Sequence, residues 1–301
     1  MLGVEFGVMP FPFETWRKNS KYGHGATMEI CRKAGVKAIE PIANWFFDEN
    51  YQPNERYIEQ FLGAAFSLGM RVPVVVILCD LVNPNKRNIT KFESGIAVAH
   101  LLGAKIALVA GHGMDRGSKD VELSHARKLI AQGLMRYVDF AKDRNIKLVI
   151  EPFGLRPKLA CSAEHIVEIC QTTWDHDKKV WACLDTGNLF FAGQHVMEVF
   201  DKLWPYILHV HMKNWRTVPE GTSGSLKSLK GLRVVGCSLE DGIIPNELVA
   251  AELRKREYHL GIHLEPPICG VDPLEHPSNI LNRDVPLMMS FFNGGSSTSS
   301  K

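Results

Sequence analysis

Short apolar runs alternate with longer amphipathic ones from one end of the chain to the other. The short runs, rich in β-branched residues, fall at 3–8, 36–41, 72–78, 105–109, 147–150, 180–184, 207–210 and 259–264, as expected of strands buried on both faces. Apolar positions with a helical period mark 28–34, 55–68, 89–102, 122–144, 163–172, 196–203 and 246–257, and a weaker pattern at 279–291 supplies an eighth helix. Gly35, Gly69 and Gly103 follow three of these stretches as C-terminal caps. Such alternation predicts βα units around a parallel sheet. Eight units in 301 residues allow roughly 38 residues each, enough for a ~30-residue unit and its loops. The expected fold class is α/β: a single (β/α)8 TIM barrel over residues 1–293, with a long loop after strand 7 at 214–245. The tail 294–301, GGSSTSSK, reads as a flexible end.

An open, doubly wound sheet is the main competitor. It would carry a G-x-G-x-x-G turn after its first strand or a G-x-x-x-x-G-K-[ST] loop, and the chain has neither. The turn Gly111-His112-Gly113, followed by Gly117, has no phosphate-binding lysine in register and reads as a plain loop.

Composition narrows the partners. With 45% hydrophobic and 23% charged positions the chain can bury a large core. Lys+Arg 35 against Asp+Glu 33 leaves a net charge of +2, without the basic excess that binding nucleic acid requires. The longest apolar run, 72–79, is interrupted by Pro73 and is too short to span a membrane. The first residues lack the basic and apolar regions of a secretory signal, and the seven cysteines include no C-x-x-C pair. These features lead us to expect a cytoplasmic protein with reduced thiols and no membrane partner.

In a barrel the working residues lie at the C-terminal ends of the strands, where the βα loops converge. The fifth strand, KLVIE, ends in Glu151; the sixth, VWACLD, in Asp185; the seventh, ILHVH, in His211; the eighth, HLGIHLE, in Glu265. A charge closing an apolar strand is ordinarily the chain meeting solvent, but four in succession form a ligand set. Three carboxylates and an imidazole suit one divalent ion, Mn²⁺ with Mg²⁺ or Co²⁺ as alternatives, better than sulfur-rich structural zinc. Such an ion would also relieve the mutual repulsion of the carboxylates. His209 points the same way as His211 on its strand and reads as a packed neighbour of the site.

Glu151 in IEPFG, Asp185 in CLDTGN, His211 in HVHMKN and Glu265 in HLEPP resemble the metal quartet of the xylose-isomerase-like TIM barrels. That superfamily of sugar-phosphate isomerases and epimerases includes tagatose and psicose 3-epimerases, hydroxypyruvate isomerase and inosose dehydratase. The similarity continues through EDGIIPNELVAAELRKREYHLGIHLE, which resembles the family's last long helix leading into its glutamate strand. The resemblance implies that Glu151 and Glu265 both ligate the metal and act as acid/base groups on opposite faces of a sugar. Abstracting a proton beside a carbonyl needs such a base, and returning it to the other face needs a second group. Two departures bear on the reaction. Asn188 stands where the ketose 3-epimerases have a histidine. His211-Met212-Lys213 resembles the H-x-K of inosose-dehydratase-like members, so Lys213 is a candidate to stabilise an oxyanion or to act as an acid, its plain alternative being a solvent-exposed lysine. The endonuclease branch, with three zinc ions and further histidines, does not fit Asn188 or the residues closing the third strand.

Further residues at the barrel mouth are candidates to contact substrate: Trp45 with Phe46 after the second strand, His112 after the fourth, Arg156 after the fifth, Asn188 after the sixth and Arg216 after the seventh. Glu40, within the second strand, reads either as a partner for a substrate hydroxyl or as a barrel-end ion pair. The segments 214–245 and 10–24 are expected to cover the site. The expected activity is a metal-dependent sugar isomerase or epimerase working through an enediolate on a small-molecule carbohydrate. The alternatives are a lyase or dehydratase acting on an inosose, a keto-sugar or an oxidised C-glycoside, and a non-catalytic sugar-binding or accessory subunit. A homo-oligomer fits any of these readings.

Overall fold

A computed structural model describes residues 3–10, 13, 23–114, 121–153, 159–266 and 276–293. In chain order its strands are β1 (Glu5–Val8), β2 (Ala38–Ile39), β3 (Val74–Leu78), β4 (Ile106–Ala110), β5 (Lys147–Ile150), β6 (Trp181–Asp185), β7 (Ile207–Met212), β8 (Asn214–Thr217), β9 (Leu226–Lys227), β10 (Arg233–Cys237) and β11 (Gly261–Leu264). Strands β1–β7 and β11 are the eight predicted ones, and they form one parallel sheet in the order β2-β1-β11-β7-β6-β5-β4-β3. Its two edges meet through the parallel bridges Ala38 to Arg71 and Ile42 to Val76, giving a nearly closed (β/α)8 barrel. β2 is shorter than its apolar run predicts because Pro41 has no N–H to give to a ladder; there Val76 donates to the Pro41 carbonyl instead, at 2.9 Å.

The surrounding helices follow the predicted stretches: Gly23–Lys33, Glu55–Ser67, Lys86–Leu101, Leu123–Lys142, Ala163–Asp175, Val196–Leu203, Asn246–Lys255 and Pro277–Phe292. Side-chain caps fix several starts. Asn54, Asn85 and Ser162 each accept the N–H three residues on, which sets the third helix to begin at Lys86 rather than Ile89. The three glycines read as caps all have positive φ, 103° at Gly35, 61° at Gly69 and 76° at Gly103. Buried side chains of the helices and of the outward strand faces form one large core, and a second apolar cluster, including Val74, Val76, Leu108 and Val149, fills part of the barrel lumen.

The segment 214–245 differs from the long loop expected there. It folds as a three-stranded antiparallel sheet in the order β8-β10-β9. The strands have two to five residues and are joined by Gly- and Ser-rich turns, too short for a period-two signal to stand out. Trp215, 4% exposed, gives this sheet a foothold: its indole N–H donates to the Gly187 carbonyl at 3.2 Å and its ring packs on Phe191. Asn214 ties the base of the sheet by donating to the Leu239 carbonyl and accepting from the Ile244 N–H, both at 2.8 Å. The predicted tail 294–301 lies outside the described residues, as does most of segment 10–24.

Candidate functional site

Strand register brings the chemistry-bearing residues together. His211 on β7 stands opposite Asp185 on β6 and His263 on β11, while His209 stands opposite Cys183 and Gly261. Because alternate residues of a strand share a face, Cys183 and Asp185, His209 and His211, and His263 and Glu265 all turn toward the lumen. Below the barrel mouth they meet Glu40, which is fully buried. Its Oε2 lies 3.0 Å from His209 Nε2, 3.0 Å from His211 Nε2 and 2.6 Å from His263 Nδ1. The His263 ring occupies the space a side chain at position 7 would need, since a Cβ on Gly7 would stand 2.5 Å from it.

Above this hub, His211 Nδ1 faces the acids, 2.9 Å from Glu151 Oε1, 3.2 Å from Glu265 Oε2 and 3.9 Å from Asp185 Oδ2. One ligand atom from each of these four residues lies within 4.8 Å of the others, so the strand-end quartet does converge. Lys213 joins it as a buried ammonium, 2.7 Å from Glu265 Oε2 and 3.0 Å from Asp185 Oδ2. It reaches there across Gly187, where a Cβ would stand 2.3 Å from the lysine stem, which accounts for a residue without a side chain in Asp185-Thr186-Gly187-Asn188. The sequence reading missed the short helix Thr186–Phe191 that follows. Asp185 caps it, accepting the Asn188 N–H at 2.7 Å and its side-chain amide at 2.8 Å; an Asp before an apolar run was the available signal.

The charges are strongly perturbed. Burial pushes the Glu151 carboxyl up to about 8 against the pull of His211, and repulsion from Glu265 and Asp185 adds to the rise. Burial also opposes charge on Asp185, but Lys213 and His211 outweigh it and hold the carboxyl below its usual range. For Lys213 burial is likewise the largest influence, and Asp185, Glu265 and Glu151 together overcome it, keeping the ammonium above the usual lysine range. Acting as an acid near neutral pH would need a depressed Lys213 pKa; the carboxylates around it reverse that direction, leaving a fixed positive charge. Glu40 is held well below the carboxylate range by His211 and His209 despite its burial.

These observations fit a divalent cation. An ionised carboxylate only accepts hydrogen bonds, so Glu40 fixes one proton of His211 on Nε2; its Nδ1 faces three acids, and despite burial Glu40 and the hydrogen bonds to Asp185 and Glu151 raise the His211 pKa, so that without a metal a proton fills that place. A lone pair directed at carboxylates is repulsive unless a proton or a metal ion lies between them. A second carboxylate holding a ligating histidine from behind is also the usual support of a metal-bound imidazole. Lys213 neutralises part of the acid cluster, pairing with Asp185 and Glu265, while Glu151 stands apart from it. Cys183 is within reach of the same atoms, yet burial holds its thiol well above its usual range.

Glu151 and Glu265 of the quartet line a cavity whose outline, open solvent included, takes in about 660 Å³. Among the described residues, strands β1–β4 and their loops contribute Met9, Ile42, Val76, Leu78 and Ala110 to its wall, all apolar. The opposite side carries Glu151, Asn188, Lys213 and Glu265, with Phe153, Phe191, Trp215 and Leu226 around them. Trp215 and Leu226 come from the segment expected to cover the site. The other residues predicted to contact substrate are placed differently. Trp45 is half-buried and packs behind the apolar wall, against the cluster containing Ile42 and Val76. His112 does not line the cavity; it is 1% exposed, its ring nitrogens have no hydrogen-bond partner, and burial lowers its pKa to about 4 against the pull of Asp80. Arg216 is exposed on β8, away from the cavity wall. Arg156 lies outside the described residues. Sequence reasoning offered Glu40 as a substrate partner or a barrel-end ion pair and did not name His263; their meeting with His211 depends on barrel register rather than on any local motif.

Known proteins agree with this architecture. The chain is 26% identical over 200 residues to an inosose dehydratase of Clostridium botulinum, a match covering 59% of this chain and 63% of that protein. It thus spans under two thirds of the length of the curated relatives it matches. Among solved structures, an L-ribulose 3-epimerase superposes with a TM-score of 0.73 at 15% identity, covering 97% of this chain and 95% of that one. The IOLI protein, described with a zinc atom, superposes with a TM-score of 0.72 at 14% identity, covering 98% and 100%. At such identities the superpositions show the shared fold. A family model describing the xylose isomerase-like TIM barrel matches residues 28–279, and the chain belongs to that family.

Proposed function

We propose that the protein is a divalent-metal-dependent carbohydrate enzyme that removes a proton α to a carbonyl, yielding isomerisation or epimerisation through an enediolate. The observation that carries this reading is the convergence of Glu151, Asp185, His211 and Glu265 on one point at the edge of a cavity. Those four residues would hold the metal, Mn²⁺ being the best match to an oxygen-rich donor set with Mg²⁺ or Co²⁺ as alternatives. A divalent ion there supplies Lewis-acid polarisation of a carbonyl oxygen.

The chain's own groups do the rest. Glu151 and Glu265 both line the cavity and carry the acid/base work, one taking the α-proton and the other returning one to the opposite face. Lys213 keeps its charge and so acts electrostatically on developing negative charge. Asn188, anchored to Asp185, presents what remains of its hydrogen-bonding capacity to substrate. Trp215 and Leu226 of the three-stranded sheet shield the reacting carbons from water.

A second reading, elimination of a β-hydroxyl from the same enediolate, is favoured by the similarity to inosose dehydratases and by Asn188 in place of a histidine. Incubating metal-loaded protein with ketoses, inososes and 3-keto-glycosides in D₂O, followed by NMR, separates the two. Solvent deuterium at carbon without loss of a group supports isomerisation or epimerisation, and elimination products support the lyase. A protein that binds sugar equally well after chelation, with neither outcome, would be a non-catalytic binding subunit.

A further inference from the structure

The wall opposite the acids limits what the cavity can hold. Strands β1–β4 present Met9, Ile42, Val76, Leu78 and Ala110 to it, and none of these side chains offers a hydrogen bond. Among the described residues, Met9, Ile42, Val76 and Ala110 belong to a buried apolar cluster that continues into the lumen through Val74 and Leu108. On the facing side, Glu151, Asn188, Lys213 and Glu265 bring polar atoms to the cavity. Oxygen atoms can therefore be satisfied along one edge of a bound molecule. A hydroxyl pressed against the other wall would lose its water without replacement, a penalty of roughly tenfold to a hundredfold in affinity. A fully hydroxylated sugar chain would incur that penalty repeatedly, whereas a ring or chain without hydroxyls would gain by leaving water there.

Building on the enolising reading of this site, we propose that its substrate is an amphipathic carbohydrate derivative, a hydroxy-ketone sugar head held by the Glu151–Glu265 side and an unhydroxylated, aromatic or alicyclic body packed on the Met9, Ile42, Val76, Leu78 and Ala110 wall. The head meets the proton-transferring pair, and the body is recognised by burial alone. Specificity then resides in the β1–β4 half and chemistry in the other.

Two probes share the head HOCH₂–CO– and differ in the body: 2-hydroxyacetophenone, with a phenyl ring, and erythrulose, with a short polyol. Binding to the Mn²⁺-loaded protein is measured by calorimetry, and exchange of the α-hydrogens by NMR in D₂O. The phenyl ketone is expected to bind at least about tenfold more tightly. Leu78→Asn, at a half-buried position, and Ala110→Ser, which adds one hydroxyl to a folded core, are both expected to shrink that preference severalfold. Erythrulose binding as tightly as the phenyl ketone, or a preference untouched by both variants, overturns the proposal while leaving the enolising reading intact. Preference for the phenyl ketone without hydrogen exchange from either probe upholds the apolar wall and overturns the enolising reading. No binding of either probe at 10 mM, on the order of the weakest useful affinities, overturns the proposal.

Discussion

Strands β1–β4 and strands β5–β7 with β11 close one barrel by the same hydrogen-bonded ladder, yet they fill its interior with opposite materials. The first half supplies Val74, Val76, Leu108 and Ala110, side chains that need only to be packed. The second supplies Asp185, His209, His211, His263 and Glu265, with Glu40 reaching across from β2 to bind three of the rings. A buried polar group is costly unless its partners are in place, and in this half nearly all of them are. The exceptions are informative: His209 Nδ1 and His263 Nε2 have no partner; Glu40 takes the N–H of each ring from the other side, and the free nitrogens face the glycines Gly261 and Gly7, where a Cβ would stand 3.3 Å and 2.5 Å from them. The apolar half gives the barrel its stability and the polar half gives it reactive groups, and each can be perturbed separately.

The largest expected effect lies at the two glutamates. Glu151→Gln and Glu265→Gln keep side-chain size but remove the acid/base function, and each is expected to lower kcat by about 10²- to 10⁴-fold while retaining some metal. The defects should differ in kind. The variant lacking the abstracting group fails to release substrate hydrogen to solvent, and the one lacking the donor still exchanges it without forming product. Near wild-type turnover in either variant would end the two-glutamate mechanism.

Metal affinity should also depend on pH. Without metal, the Glu151 pKa is raised from the usual 4.5 to about 8, so across this window the folded protein holds a proton that the unfolded chain has released. Stability of the metal-free protein is therefore expected to fall as pH rises from about 4.5 to about 8. Metal binding must expel that proton, so the metal Kd should tighten up to about 100-fold between pH 6 and pH 8 and then level off. Calorimetry in buffers of different ionisation enthalpy counts the proton released; a pH-independent Kd would show that Glu151 is not a ligand.

Glu40→Gln tests the support beneath the metal site. An amide in place of the carboxylate can turn an N–H toward His211 and unsettle its tautomer, and a loss of about 10- to 100-fold in metal affinity is expected. A purely structural role would lower the melting temperature and leave the Kd unchanged. The smallest effect on chemistry belongs to the apolar half. Leu108→Ala, fully buried and away from the cavity wall, should cost about 2–5 kcal/mol in denaturant unfolding while changing the metal Kd by less than about twofold.

Much of this division was legible in the sequence. Strand ends can be read from apolar runs, and in a parallel barrel all of them lie on one face, so Glu151, Asp185, His211 and Glu265 could be grouped before any contact was known. Register could not be read in this way. Glu40 and His263 lie 223 positions apart, and only the shear of the closed sheet brings them together. The sheet β8-β10-β9 was hidden by the brevity of its strands, and its function depends on one tryptophan whose anchor, the Gly187 carbonyl, lies 28 residues earlier. His112 and Arg216 were placed at the mouth because they follow strand ends, but a strand-end position does not determine which way a side chain turns once its loop is packed.

The most direct test of the polar half is the stoichiometry and position of its metal. Wild-type protein dialysed against Mn²⁺ should retain one equivalent, with an anomalous diffraction peak bounded by Glu151, Asp185, His211 and Glu265. Asp185→Ala and His211→Ala, with unchanged circular dichroism, should retain none. Full occupancy in both variants, or a peak elsewhere in the barrel, would contradict the assignment of these four residues as one metal site.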